Sequence, residues 1–141
     1  MNKFTVKAGD LIFKEGQLQT AMYIILNGAV EIFFNLKGRE VRVATMRKGD
    51  FFGEMALFRS KPRTASARAI LDSDMITVDS KQQLQLFLQK NPTFAAKMVK
   101  IMAERLAKTN EMLVDKLNDT IATEIEFKID LEKKDKPPRN T

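Results

Sequence analysis

Glycine turns cut the first eighty residues into short runs, and this pattern limits the fold more than any other feature of the chain. Gly9-Asp10 is a turn signal, Leu11-Ile12-Phe13-Lys14 follows as a strand, and Glu15-Gly16 closes it. Met22 to Leu26 is a buried-strand run. Asn27-Gly28 is the strongest short hairpin signal, since both turn positions favour positive φ, and it predicts an antiparallel return through Ala29 to Phe34. Lys37-Gly38 turns again into the alternating run Arg39 to Met46, which Lys48-Gly49-Asp50 ends. Ala65 to Ala69 and Met75 to Val78 are further strands. Many short strands at near-regular spacing predict a small β-barrel or jelly roll.

After Asp79 the character changes. Ser80 is placed to cap a helix carrying Leu84, Leu86, Phe87 and Leu88. Asn91-Pro92 opens a second helix, with proline in the first turn, where its missing N–H costs nothing. Phe94, Met98, Ile101, Met102, Leu106, Leu113 and Leu117 recur at steps of three and four, so this helix is long for so small a domain. Ile125, Phe127, Ile129 and Leu131 alternate with charged residues, a two-residue period that predicts a short strand, with continued helix as the competing reading. The organisation expected is therefore a β core over 1–80, a helical region with a hinge and a long helix over 81–120, a strand or helix extension over 121–132, and a disordered tail over 133–141. The fold class is mainly β with helices (α+β).

Composition removes whole classes of chemistry. The 141 residues include no histidine and no cysteine. A His-Cys zinc site, a histidine-held haem, a Ser-His or Cys-His nucleophile pair and a redox thiol are thereby excluded. The N-terminal region has no apolar signal segment, and no apolar run approaches the roughly 18–20 residues of a membrane span, so the expected location is cytoplasmic. The net charge of +6 invites a nucleic-acid reading, but the excess is spread evenly: twelve basic and nine acidic residues lie in 1–80 and the same numbers in 81–141. With one tyrosine and no tryptophan to interleave, the charge reads as a slightly basic solvated surface.

The stretch from Phe51 to Arg68 carries the chemistry. Gly53 lets the backbone bend closely around another group, and Glu54 to Phe58 can form one helical turn with N–H groups at its start. Arg63 follows nine residues after Glu54, across a short loop carrying Pro62, and its planar fork suits two phosphate oxygens. Thr64 adds a hydroxyl and an N–H. The segment can cradle a phosphate, with a carboxylate beside it to accept hydrogen bonds from sugar hydroxyls.

Gly53-Glu54-Met55-Ala56-Leu57 and Pro62-Arg63-Thr64-Ala65-Ser66 closely resemble, in sequence and separation, the phosphate-binding cassette of cyclic nucleotide-binding domains. The glycine turns at Gly9-Asp10, Asn27-Gly28 and Gly49-Asp50 resemble that family's as well, and the resemblance covers about residues 4 to 118. It implies a double-stranded β-helix barrel followed by a long C-terminal helix. It implies that Glu54 accepts the ribose 2′-hydroxyl, that the N–H groups of Gly53, Ala56 and Thr64 surround the cyclic phosphate, and that Arg63 pairs with its charge. Met55 and Ala65 fall within the same binding segments, and Val43 and Met46 sit where the family packs the base. Met102 to Glu111 resembles the dimer helix of the catabolite-activator (Crp/Fnr) family, with Thr109 at its adenine-contacting threonine and Asn110 in place of the next serine. Thr64 is a feature often found with cyclic GMP, whereas Thr109 favours cyclic AMP. The resemblance thus implies cAMP, or cGMP, as regulatory ligand, with no cofactor and no metal.

The expected protein is a non-catalytic receptor whose ligand repositions the long helix, with replacement of Arg63 weakening binding at least about tenfold while the domain stays folded. Leu106, Leu113, Leu117 and Ile121 suggest pairing of two copies as a homodimer. The strand expected near Ile125–Leu131 would expose an edge that swaps or binds a partner. The alternative is a truncated or degenerate Crp/Fnr-type regulator that acts through a downstream protein without binding a nucleotide. Only about twenty residues follow Thr120, which leaves no room for a DNA-reading domain, so direct DNA binding is not expected. A metal enzyme on a similar barrel would be built on histidines, and a phosphodiesterase pair of Glu54 and Arg63 lacks an activated nucleophile.

Overall fold

The computed structural model describes residues 1–135, with side chains through residue 132. The chain divides into two compact units, Met1–Lys90 and Asn91 onward. The first holds eight strands: β1 (Asn2–Val6), β2 (Leu11–Phe13), β3 (Met22–Asn27), β4 (Ala29–Leu36), β5 (Arg39–Arg47), β6 (Phe51–Phe52), β7 (Ser66–Ala69) and β8 (Ser73–Val78). Between β6 and β7 lies α1 (Glu54–Arg59), and after β8 comes α2 (Lys81–Lys90).

The strands form two antiparallel four-stranded sheets, ordered β1-β8-β3-β6 and β2-β7-β4-β5. No hydrogen-bonded ladder among the described residues joins one sheet to the other, so the expected barrel is an open β-roll rather than a closed one. Between the sheets Phe13, Tyr23, Ile25, Val30, Phe52, Ala67 and Met75 form one buried cluster. Tyr23 stacks on Phe52 with centroids 5.4 Å apart, and Phe13 lies 5.9 Å from each of them. Each such ring or aliphatic side chain removed from water contributes roughly 1.5–3 kcal/mol.

The hairpin expected at Asn27-Gly28 is absent. β3 and β4 lie in different sheets, and the chain turns a corner between them. A two-residue I′ turn needs positive φ at both positions; Asn27 stays in the strand and only Gly28 is positive, at 107°. The corner is tight because Ser73 fills it: its Oγ accepts from the Ala29 N–H at 3.1 Å and donates to the Leu71 carbonyl at 2.8 Å. The two-residue hairpin is instead Lys37-Gly38, with φ of 52° and 82°, joining β4 to β5 with Leu36 opposite Arg39.

Ser80 caps α2 as its position implied. Its Oγ accepts from the Gln83 N–H at 3.1 Å while Gln83 Oε1 accepts from the N–H of Asp79, one residue before the cap, at 2.9 Å, and the two bonds hold the first turn.

Among the described residues the second unit is a single helix, α3 (Pro92–Asp135), 44 residues long and about 66 Å at 1.5 Å per residue. It corrects the expected strand at 124–132: those residues continue the helix. Extending an existing helix needs no new nucleus, whereas an isolated strand needs a partner ladder. Ile125, Phe127, Ile129 and Leu131 are all exposed on it. The tail expected at 133–141 begins within this helix, and residues 136–141 lie outside the described residues.

Candidate functional site

The cassette begins where β6 ends. Gly53, at φ 81° and ψ 7°, turns the chain directly into α1. Glu54, Ala56 and Leu57 face inward and are buried, while Met55 and Phe58 face outward. A carboxylate is thus carried inside the domain on the first residue of the helix. Ser60, at φ 49°, ends it by donating its N–H to the Ala56 carbonyl at 3.0 Å.

The loop that follows is stitched to the turn after β2. Arg63 N–H donates to the Gln17 carbonyl at 2.9 Å, and Gly16 N–H donates to the Arg63 carbonyl at 2.7 Å. With its backbone held at both ends, Arg63 sends its side chain inward, where only 6% of the residue is exposed. Nη1 donates to the Gly53 carbonyl at 3.0 Å, and Nη2 donates to Gln19 Oε1 at 3.0 Å and to the Ala21 carbonyl. The guanidinium carbon lies 4.0 Å from the centre of the Phe13 ring, a cation–π contact at a buried site. The Nε–H is buried and has no partner among the described residues. Burial lowers the pKa of this guanidinium, and the charges of Tyr23 and Glu54 act the other way. Burial also raises that of the Tyr23 phenol.

A buried cation with an unspent donor is suited to meet an anion or a water. The two halves of the cassette therefore meet: Gly53 and Arg63 touch, Glu54 and Ala56 are buried at the same turn, and Thr64 and Ala65 follow Arg63, Thr64 exposed and Ala65 half-buried. Met46 packs against the core cluster, opposite Val30. Val43 does not. It is the extra residue at the β-bulge where Ile32 faces Ala44 and Phe33 faces Arg42, and it is 54% exposed. Thr109 and Asn110 lie exposed on α3, where Thr109 Oγ1 donates to the Arg105 carbonyl at 2.9 Å. Gln19, Phe13 and Tyr23 were not anticipated as part of the arginine's setting. Nothing in their spacing marks them, because they reach Arg63 only through the fold.

A second charged cluster has its charges already matched. Glu31 accepts from Arg68 Nε at 2.8 Å and from Arg42 Nε at 3.0 Å, and Glu40 accepts from both terminal nitrogens of Arg68. Arg68 also stacks on Phe33, 4.3 Å from its centroid. No group of three or more potential metal ligands occurs among the described residues, and no described helix is long and apolar enough to cross a membrane.

An open β-roll, with a buried arginine tied to a glycine-helix turn, is the framework that holds the cassette. The chain belongs to the cyclic nucleotide-binding domain family, whose model matches residues 3–90. It is 32% identical over 108 residues to the CRP-like cAMP-activated global transcriptional regulator of Mycobacterium tuberculosis, covering 76% of this chain and 48% of that protein. It is 45% identical over 62 residues to the cAMP-dependent protein kinase regulatory subunit of Emericella nidulans, covering 44% of this chain and 15% of that protein. Its fold is similar to the crystal structure of the Thermus thermophilus catabolite activator protein, with a TM-score of 0.67, 28% identity, and coverage of 79% of this chain and 53% of that one. The chain thus spans about half the length of the bacterial regulators it matches.

Proposed function

We propose that the protein is a non-catalytic receptor for a 3′,5′-cyclic purine nucleotide, cAMP first and cGMP second. The observation that carries this reading is the buried Nε–H of Arg63, a cationic donor without a partner among the described residues, inside a cassette of the matching family. A cyclic phosphate has one negative charge and can accept that donor. Glu54, buried at the same turn, supplies the acceptor for the ribose 2′-hydroxyl. The N–H groups of Gly53, Ala56 and Thr64 surround the phosphate, with Met55 and Ala65 flanking them and Met46 and Val43 towards the base. Thr109 and Asn110 add contacts from α3. The names of the relatives, a cAMP-activated regulator and a regulatory subunit, support regulation rather than turnover.

The output is a shift of α3 between two positions, in which ligand favours one. Its exposed Leu106, Leu113, Leu117 and Ile121 are the pairing face of a homodimer.

Calorimetric titration with cAMP, cGMP and 2′-deoxy-cAMP tests the reading. Saturable one-site binding, weaker for the deoxy analogue, is expected. No heat from either ribonucleotide would discard it in favour of a domain that acts on a partner without a nucleotide. Sedimentation velocity tests the pairing: a species of twice the chain mass is expected, and a monomer at all concentrations removes it.

A further inference from the structure

Arg63 is held from both sheets. Nη1 donates to the carbonyl of Gly53, which follows β6, and Nη2 donates to the carbonyl of Ala21, which precedes β3; both strands belong to the first sheet. From the second sheet β2 brings Phe13, whose ring centre lies 4.0 Å from the guanidinium carbon. The turn after β2 also grips the main chain of the arginine, through Gly16 N–H at 2.7 Å and the Gln17 carbonyl at 2.9 Å. Residues 13–17 thus set both the backbone and the side chain of Arg63.

These contacts restrain different motions. Hydrogen bonds to carbonyls place the donors of the fork, but their broad angular preference resists tilting of the guanidinium only weakly. A ring face set against the cation resists tilting, because its electron-rich centre attracts the charge. A phenyl ring also brings no lone-pair acceptor, and the buried Nε–H remains without a partner among the described residues. The ring itself has little freedom to follow a moving arginine. Phe13 is 6% exposed and lies 5.9 Å from the ring centres of both Tyr23 and Phe52, which stack on each other at 5.4 Å.

We infer that Phe13 is a positioning residue for anion binding: its ring, braced on Tyr23 and Phe52, keeps the guanidinium of Arg63 from tilting, so that Nε–H meets one particular exocyclic oxygen of a cyclic phosphate. This rests on the receptor reading of Arg63. An aliphatic side chain at position 13 would fill much of the space but offer the cation no face.

The test uses the full chain with cAMP and its two phosphorothioate diastereomers, in which sulphur replaces one or the other exocyclic oxygen; the cGMP set takes their place should cGMP bind more tightly. Calorimetry is expected to show that wild type binds the two diastereomers unequally, since sulphur accepts a hydrogen bond poorly. Phe13→Leu is expected to bind the parent nucleotide at least about fivefold more weakly and to shrink the ratio between diastereomers at least about threefold, as the donor loses its fixed direction. Phe13→Met, which also lacks a ring face, gives the same comparison should the leucine variant not fold. Equal loss for all three ligands, with the ratio unchanged, would show that Phe13 only packs and overturns the proposal. Equal binding of the two diastereomers by wild type overturns it as well. A wild-type chain that binds neither cAMP nor cGMP fails the receptor reading itself and takes the proposal with it, whereas the two preceding outcomes keep that reading and remove Phe13 alone.

Discussion

Nη1 of Arg63 donates to the carbonyl of Gly53 at 3.0 Å, so the arginine and the turn that opens α1 form one hydrogen-bonded unit. A Cβ on residue 53 would lie 2.8 Å from that nitrogen and 3.2 Å from the Ala21 carbonyl oxygen, at a φ of 81° that L side chains rarely adopt. Gly53→Ala should therefore destabilise the domain by about 1–3 kcal/mol and weaken cAMP binding through the displaced arginine. Urea denaturation checks the first part. A midpoint equal to wild type would show that the approach is not tight.

Arg63→Lys keeps a positive charge but has one nitrogen where the fork has three. It cannot serve Gly53, Ala21 and Gln19 together and still present a donor to a ligand. Affinity for cAMP should fall at least about tenfold, with a loss of about 1–3 kcal/mol in stability from the abandoned carbonyls. The effect is not purely functional, because the side chain is also a structural bridge between Gly53, Ala21 and Gln19. Calorimetry and thermal unfolding of the same sample give both numbers, and unchanged affinity would remove Arg63 from the site.

Gly28→Ala tests the corner between the sheets. An added Cβ would lie 2.1 Å from Ser73 Oγ and 2.7 Å from Ser73 Cα. The clash reaches backbone, so no side-chain adjustment relieves it, and a loss of more than about 3 kcal/mol is expected. Adding Ser73→Ala should not rescue it, since the main chain of residue 73 still blocks the added methyl and the Ala29 N–H loses its acceptor. Melting within a degree or two of wild type would contradict the geometry.

Glu31 sets a pH dependence. Its side chain is largely buried, and hydrogen bonds from Arg68 first, then Arg42, hold its pKa below the ordinary carboxylate value. The unfolded chain, with a value of about 4.3, takes up this proton at higher pH than the folded chain does. The stabilisation is therefore present in full above that value and is lost as pH falls through the folded one. Urea midpoints from pH 7 down to pH 3 should decline for wild type and decline less steeply for Glu31→Gln, which begins less stable by more than about 1 kcal/mol. Parallel curves would exclude Glu31 as the titrating group.

The cassette was legible in sequence because its parts are local. Gly53 turns, Glu54 starts a helical turn, and Arg63 returns after a short loop, all within eleven residues. The Ser80 cap was legible for the same reason. Asn27-Gly28 misled because the dipeptide favours a hairpin locally, whereas β3 gains more by pairing with β8 and β6 across distant sequence. The alternating run at Ile125–Leu131 misled because a two-residue period means a strand only when a face of it is buried, and on α3 those side chains are exposed. Gln19 could not be foreseen, since its bond to Arg63 spans 44 residues and exists only once the loop after β2 lies against the cassette.

The single uncommitted Nε–H of Arg63 bears on how a signal would end. A phosphodiester ring has one negative charge, and on the proposed reading one buried donor matches it. Opening the ring gives a monophosphate carrying about −1.5 to −2 charges near pH 7. On that reading the second charge would meet a buried fork whose other donors are already held by Gly53, Ala21 and Gln19. On the same reading, opening the ring would weaken the match at Arg63 while leaving base and ribose intact.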